Sequence, residues 1–426
     1  MSYQKKKPSG CGCLNIPISV ILLLLGGGCW LFFTQKDNLA IGKLLPNNQK
    51  INIPFINQES TPRASSIPTP KVSLTSIPKT SSTPTPSIST TPIPNPKVSN
   101  QKTVPKTKKI ATAKTPQKTS QTTSPKTPWE KKAIRGIYIS RYHITNRTNE
   151  QTIRQRVRHY RSQGFNTIIH GVWGNGCTMY NSEVMQKILG NKSCPNKFRA
   201  KWLDWLIDEA HKQGMEVHAY FEKGIKIDKN SPIFDLAISR KWIVPGIDKT
   251  YDGIDHYVLD VEIPEVANFF KDILVEFVKK YPKIDAVQWD DYLGYHAELP
   301  GKVDRTGNLT SFSQNMIKAM KQANPNVSFD ICHHNPYWAK RYFAADWEKW
   351  GVDRVFIQNY SEKNFDDELN YVKKYDGIAI TERQFHRFKD LVNDKNIKSI
   401  LIFPLSGKPE ETASKVKDLT QKIQSN

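Results

Sequence analysis

The 426-residue chain has no C-x-x-C pair and no His/Cys cluster at zinc spacing, which argues against a structural metal site. It also lacks a Gly-rich phosphate turn after its first predicted strand, which disfavours a dinucleotide-binding doubly wound sheet. Acids are scarce at the front: residues 1–132 hold only Asp37, Glu59 and Glu130 against 19 Lys and Arg. Of the 62 basic and 40 acidic residues in the chain, 43 and 37 remain for 133–426, so the formal +22 divides as +16 and +6. The folded part therefore lacks the basic face that a nucleic-acid binder needs, and no nucleic-acid partner is expected. A solvated, positively charged tether beside anionic envelope polymers fits the front third better.

What the front does contain is an apolar run at 14–33, preceded by Lys5, Lys6 and Lys7. About twenty residues suffice to cross a bilayer as a helix. The lysines put the N-terminus in the cytoplasm and the remainder in the periplasm or outside the cell. A cleaved signal peptide wants a shorter apolar core and a small-x-small site, whereas Trp30-Leu31-Phe32-Phe33 runs straight on. A lipoprotein signal could use Cys29, but Gly26 stands where such signals carry Leu. Cys11 and Cys13 are either acylated juxtamembrane thiols or reduced cytoplasmic ones. Residues 1–36 are thus expected to be a cytoplasmic stub and a single transmembrane anchor. Residues 37–130, rich in Ser, Thr, Pro and Lys, bury too little apolar surface to fold and form an expected disordered linker.

From 131 to 426 strand and helix patterns alternate. Predicted strands cover 134–140, 165–173, 215–222, 284–292, 327–333, 352–360, 377–382 and 399–404. Between them lie helical stretches such as 150–163, closed by Gly164, and the apolar stripe Val266, Phe269, Phe270, Ile273, Phe277 and Val278 after Pro264. Eight strand–helix units in nearly 300 residues predict an α/β chain folded as a (β/α)8 TIM barrel. A doubly wound open sheet is the runner-up.

The fourth strand, IDAVQWDDY at 284–292, breaks off in two acids and an aromatic. In such barrels the catalytic groups come from the C-terminal strand ends, and paired carboxylates suit acid/base or glycosidic chemistry. Solvated loop acids or a helix N-cap are the plain alternatives. Alternation puts Val217, Ala219, Phe221, Val287 and Trp289 against the outer helices. It leaves His218, Tyr220, Glu222, Gln288, Asp290, Asp330, Cys332, His334, Gln358 and Tyr360 towards the lumen, with Asp291 opening the loop and Glu382 ending the seventh strand. His218 is alternatively a hydrogen-bonded core histidine, Asp330 a supporting partner, and Glu382 a stabiliser of the next helix. Trp173, Tyr292, Tyr295, Trp338 and Tyr360 are either sugar-stacking platforms or local packing.

The run EAHKQGMEVHAYF at 209–221, the DDY at 290–292, Leu259-Asp260 and Gln358-Asn359-Tyr360 resemble glycosyl-hydrolase-like family 10, a family of TIM barrels. The resemblance covers most of 133–426. It implies a polysaccharide substrate of the envelope or cell exterior, peptidoglycan glycan strands included, and no cofactor or metal. It matches Asp290 and Asp291 to the family's acidic pair and His218 to its third-strand histidine. On the second strand the family usually carries Gln and Arg, with an Asp in the loop beyond; here Gly171, Trp173 and Cys177 stand there. Cys177 and Cys194 bracket one inserted loop in an expected oxidising compartment and are expected to pair, separate reduced thiols being the alternative. The resulting expectation is an exported glycoside hydrolase with Asp290 as general acid and Glu382 as second carboxylate. A catalytically silent glycan-binding barrel is the alternative.

Overall fold

A computed structural model of the chain describes residues 126–425 except 251–253, 297–298 and 302. The predicted anchor at 14–33, Cys11, Cys13, Cys29 and the linker up to residue 125 lie outside the described residues. Among those described, no helix is long and apolar enough to cross a membrane.

Eight parallel strands close into a ring. These are β1 (Arg135–Ile139), β2 (Thr167–Gly174), β4 (Glu216–Phe221), β7 (Ala286–Asp290), β8 (Ser328–His333), β9 (Arg354–Gln358), β10 (Gly377–Thr381) and β11 (Ile400–Phe403). The pairing of β1 with both β2 and β11 completes the barrel. A short strand β3 (Cys177–Thr178) folds back on β2, and β5 (Lys226–Ile227) pairs with β6 (Tyr257–Val258) in the insertion after β4.

Two apolar clusters follow from the period-2 alternation of side chains. Ile134, Tyr138, Ile169, Tyr220, Cys332, Phe356, Ala379 and Leu401 fill the lumen. Val217, Ala219, Phe221, Val287, Trp289, Phe329 and Ile331 face outward into the larger cluster beneath the helices. The helix Pro264–Lys280 begins on its proline and buries Val266, Phe269, Phe270, Ile273, Leu274, Phe277 and Val278 in that layer.

The folded part begins earlier than the predicted linker boundary at 130. Trp129 is buried against Phe165 and Phe388, with ring centroids 5.8 and 5.4 Å apart, and its indole N–H donates to Gly164 O. Lys132 Nζ donates to the carbonyls of Asp394 and Ile397. A large aromatic ring in an otherwise polar stretch is what draws residues 127–132 onto the N-terminal ends of the strands.

Candidate active site

Asp290 ends β7 at the C-terminal mouth of the barrel and is 5% exposed. Its Oδ2 accepts from the Tyr220 hydroxyl, and its Oδ1 accepts from the backbone N–H of Tyr292 at 3.0 Å. Burial, followed by the charge of Asp291, pushes its carboxyl well above the usual carboxylate range, and the two hydrogen bonds do not offset this. A carboxyl so placed favours its protonated form and can give a proton away.

Asp291 is also buried, and its Oδ2 accepts from Gln358 Nε2 at 3.3 Å. His334 Nε2 lies 3.8 Å from the same oxygen, while His334 Nδ1 is 2.8 Å from Glu368 Oε1. On the other flank Glu222 Oε2 pairs with Arg141 Nη1 at 2.5 Å, and Glu222 Oε1 accepts from the Arg141 backbone N–H. The mouth therefore gathers carboxylates from β4, β7 and an outer helix, with one guanidinium and one imidazole between them.

Residues 133–304 match the glycosyl hydrolase-like 10 family.

That stretch supplies Arg141, Tyr220, Glu222, Asp290 and Asp291, the acidic half of the mouth. The chain is 30% identical over 184 residues to glycosyl hydrolase DigH of Escherichia coli K12, an alignment that covers 38% of this chain and 39% of that protein. The Shigella flexneri DigH matches to the same extent, and the chain spans about two fifths of the length of these relatives. Among solved structures it is similar to a GH20 catalytic module of the pneumococcal exo-β-D-N-acetylglucosaminidase StrH. There the identity is 10% and the TM-score 0.46, over 70% of this chain and 86% of that one. The GH36 α-galactosidase AgaA of Geobacillus stearothermophilus gives 12% identity and a TM-score of 0.42, over 70% and 42%.

The barrel sorts the sequence candidates into groups. Tyr220, Glu222, Asp290, Asp291, His334, Gln358 and the half-buried Tyr360 meet at the mouth, where Tyr360 packs on Phe403 with centroids 5.6 Å apart. His218 and Asp330 do not reach it. They are sealed in the lower lumen, in a network with Glu216 and Arg354 at the strand starts. Both Asp330 oxygens accept from Arg354 Nε, at 2.9 and 3.0 Å, and His218 Nε2 meets Glu216 at 2.9 Å. Two-residue alternation puts them on the lumen face, one layer too deep for a substrate.

Trp173 is not a sugar platform. A register shift between Gly171 and Trp173 turns its ring outward, where it packs on Phe221, Phe269 and Phe270 and donates to Gly224 O. Tyr292 is buried edge-on to His256, with Lys226 Nζ 5.5 Å from its ring centroid, so it presents no open face. Glu382 is bound elsewhere: it accepts from the Leu405 N–H at 2.6 Å and from the hydroxyls of Ser406 and Thr412. Those bonds tie the end of β10 to the start of the last helix rather than to the helix that directly follows Glu382, and the acid beside Asp290 is instead Asp291. Cys177 and Cys194 are joined by a disulfide.

Sequence reasoning missed Arg141 and Glu368, each in a helical stretch whose strand contacts no local pattern reveals. The one available signal for Arg141 was the pair Gly171 and Gly174. A Cβ on Gly171 would lie 2.0 Å from Glu222 Oε1 and 2.8 Å from Arg141 N, and one on Gly174 would lie 2.2 Å from Arg141 Nη1. The glycines leave the room that this ion pair occupies. Gly171→Ala is expected to cost about 1–3 kcal/mol by overpacking, read as a lower urea midpoint at an unchanged m-value.

Proposed function

We propose that the chain is a membrane-anchored, exported glycoside hydrolase that cuts an envelope or extracellular polysaccharide, peptidoglycan glycan strands being the leading candidate. The observation that carries the reading is Asp290: a buried carboxyl at the barrel mouth, raised by burial and by Asp291. Asp290 protonates the glycosidic oxygen as the bond to the anomeric carbon breaks, and a water completes the hydrolysis at that carbon, its released proton restoring the acid. Asp291, steered by Gln358 and His334, carries the negative charge that balances the oxocarbenium-like transition state. The Tyr220 hydroxyl fixes the Asp290 carboxyl in place. The lysines before 14–33 and the Pro-rich stretch after it support anchoring and export, with the barrel beyond the membrane.

A second reading, a glycan-binding barrel without turnover, is favoured by one observation. Where the family resemblance implies polar second-strand residues, this chain has Gly171, and the Arg141–Glu222 pair fills the space. The full chain incubated with purified peptidoglycan glycan strands should release soluble oligosaccharides with new reducing ends, detected by mass spectrometry. Cosedimentation with the strands and no release would transfer the protein to the binding reading.

A further inference from the structure

Glu368 lies on the helix Phe365–Val372, which follows β9, yet its exposure is 1% while its neighbours Asp366 and Asp367 are exposed. Both of its oxygens are committed to the loop after β8. Oε1 takes His334 Nδ1 at 2.8 Å, and Oε2 accepts from the backbone N–H of Asn335 at 2.9 Å and from its Nδ2 at 3.1 Å. The His334 ring is stacked on Phe343, with centroids 5.4 Å apart and planes at 22°, so it has little freedom to swing. Its other nitrogen is 3.8 Å from Asp291 Oδ2. A buried acid with no role in its own helix thus reaches the acidic pair through one imidazole.

We propose that Glu368 is a positioning residue for the hydrolysis described above: it holds His334 as the fixed cation against which the Asp291 carboxylate is set beside Asp290. The assignment rests on the hydrolase reading. The ionisable groups facing His334 are Glu368 from the helix, Asp291 from the loop after β7, and the adjoining ring of His333, which burial holds neutral. Burial alone pushes the His334 imidazole down, but the Glu368 hydrogen bond and charge, helped by Asp291, carry it above the ordinary histidine value. Removing the Glu368 charge therefore lowers the proton affinity of His334 and weakens the cation there. Asp291 then faces a weaker cation while keeping Gln358, and the proton shared by the acidic pair is held more tightly.

The test pairs two measurements on the full chain and on Glu368→Gln. In ¹⁵N-histidine-labelled protein, His334 (assigned by loss of its signal in His334→Gln) should be cationic at neutral pH in the wild type and titrate lower in the variant. With peptidoglycan glycan strands, kcat of the variant should fall roughly tenfold to a hundredfold, as for a displaced catalytic group. KM should stay nearly unchanged, and the acid limb of the pH profile should move to higher pH. A wild-type His334 that is neutral at neutral pH, or a variant with an unchanged pH profile in an active enzyme, overturns the assignment. The wild-type titration does not depend on Glu368→Gln being folded. A wild type that releases nothing overturns the hydrolase reading itself, and the His334 titration then shows separately whether the Glu368–His334 link exists.

Discussion

Asp290→Asn is expected to abolish release of oligosaccharides, by about 10²–10⁴-fold or more, while the protein stays folded and becomes relatively more stable as pH rises. The first part follows from the proton: an amide at the same place has none to give to the leaving oxygen. The second follows from linkage. The folded-state carboxyl is raised above its ordinary value, so folding takes up a proton, and wild-type stability falls as pH climbs from about 4 towards the folded-state value. Asparagine does not titrate. Its Oδ1 can keep the Tyr292 N–H, and its Nδ2 can donate to the Tyr220 oxygen, copying the neutral acid. Melting curves of the two proteins between pH 4 and pH 8 should diverge, with the variant gaining on the wild type. An active variant would sink the general-acid assignment, and a constant melting difference would sink the raised carboxyl.

Lys226→Met is expected to be the most destabilising single change at the mouth, at about 3–5 kcal/mol. Lys226 is fully buried in β5, with Nζ 3.0 Å from Asp248 Oδ2 and hydrogen-bonded to Thr250 Oγ1 at 3.0 Å. Asp248 is equally sealed and also takes the backbone N–H groups of Thr250 and His296. Burial alone would lift its carboxyl, yet Lys226 and Thr250 hold it below the usual range. The pair fastens the insertion after β4 to the loop that follows Asp290. Methionine keeps the stem of the lysine but leaves Asp248 charged, buried and without its cation. The double variant Lys226→Met/Asp248→Asn should recover most of the loss, because the cost lies in the orphaned charge rather than in the absent bridge. Urea denaturation of the three proteins at pH 7 measures this. A single variant costing under about 1 kcal/mol would contradict the burial of the pair.

The barrel was legible because alternating strands and helices leave two unmistakable periods, and the outward set from Val217 to Trp289 fell where alternation put it. Depth was not legible. Period two says which face a residue is on but not how far up the strand a substrate comes, so His218 and Asp330 read the same as Tyr220 and Asp290. Trp173 was misread because one irregularity between Gly171 and Trp173 inverts every face beyond it. Glu382 ended a strand as a catalytic acid would, and only the position of Ser406 and Thr412 shows that its oxygens are engaged elsewhere. Arg141 and Glu368 act between separate strand–helix units, and separations of 81 and 34 residues from their partners leave no local trace.

The turn at 127–132 packs on the strand starts, at the end opposite Asp290. Anything that pulls on the polypeptide ahead of Thr127 therefore loads Trp129, Lys132 and the β1–β11 edge first, and leaves the acidic rim slack.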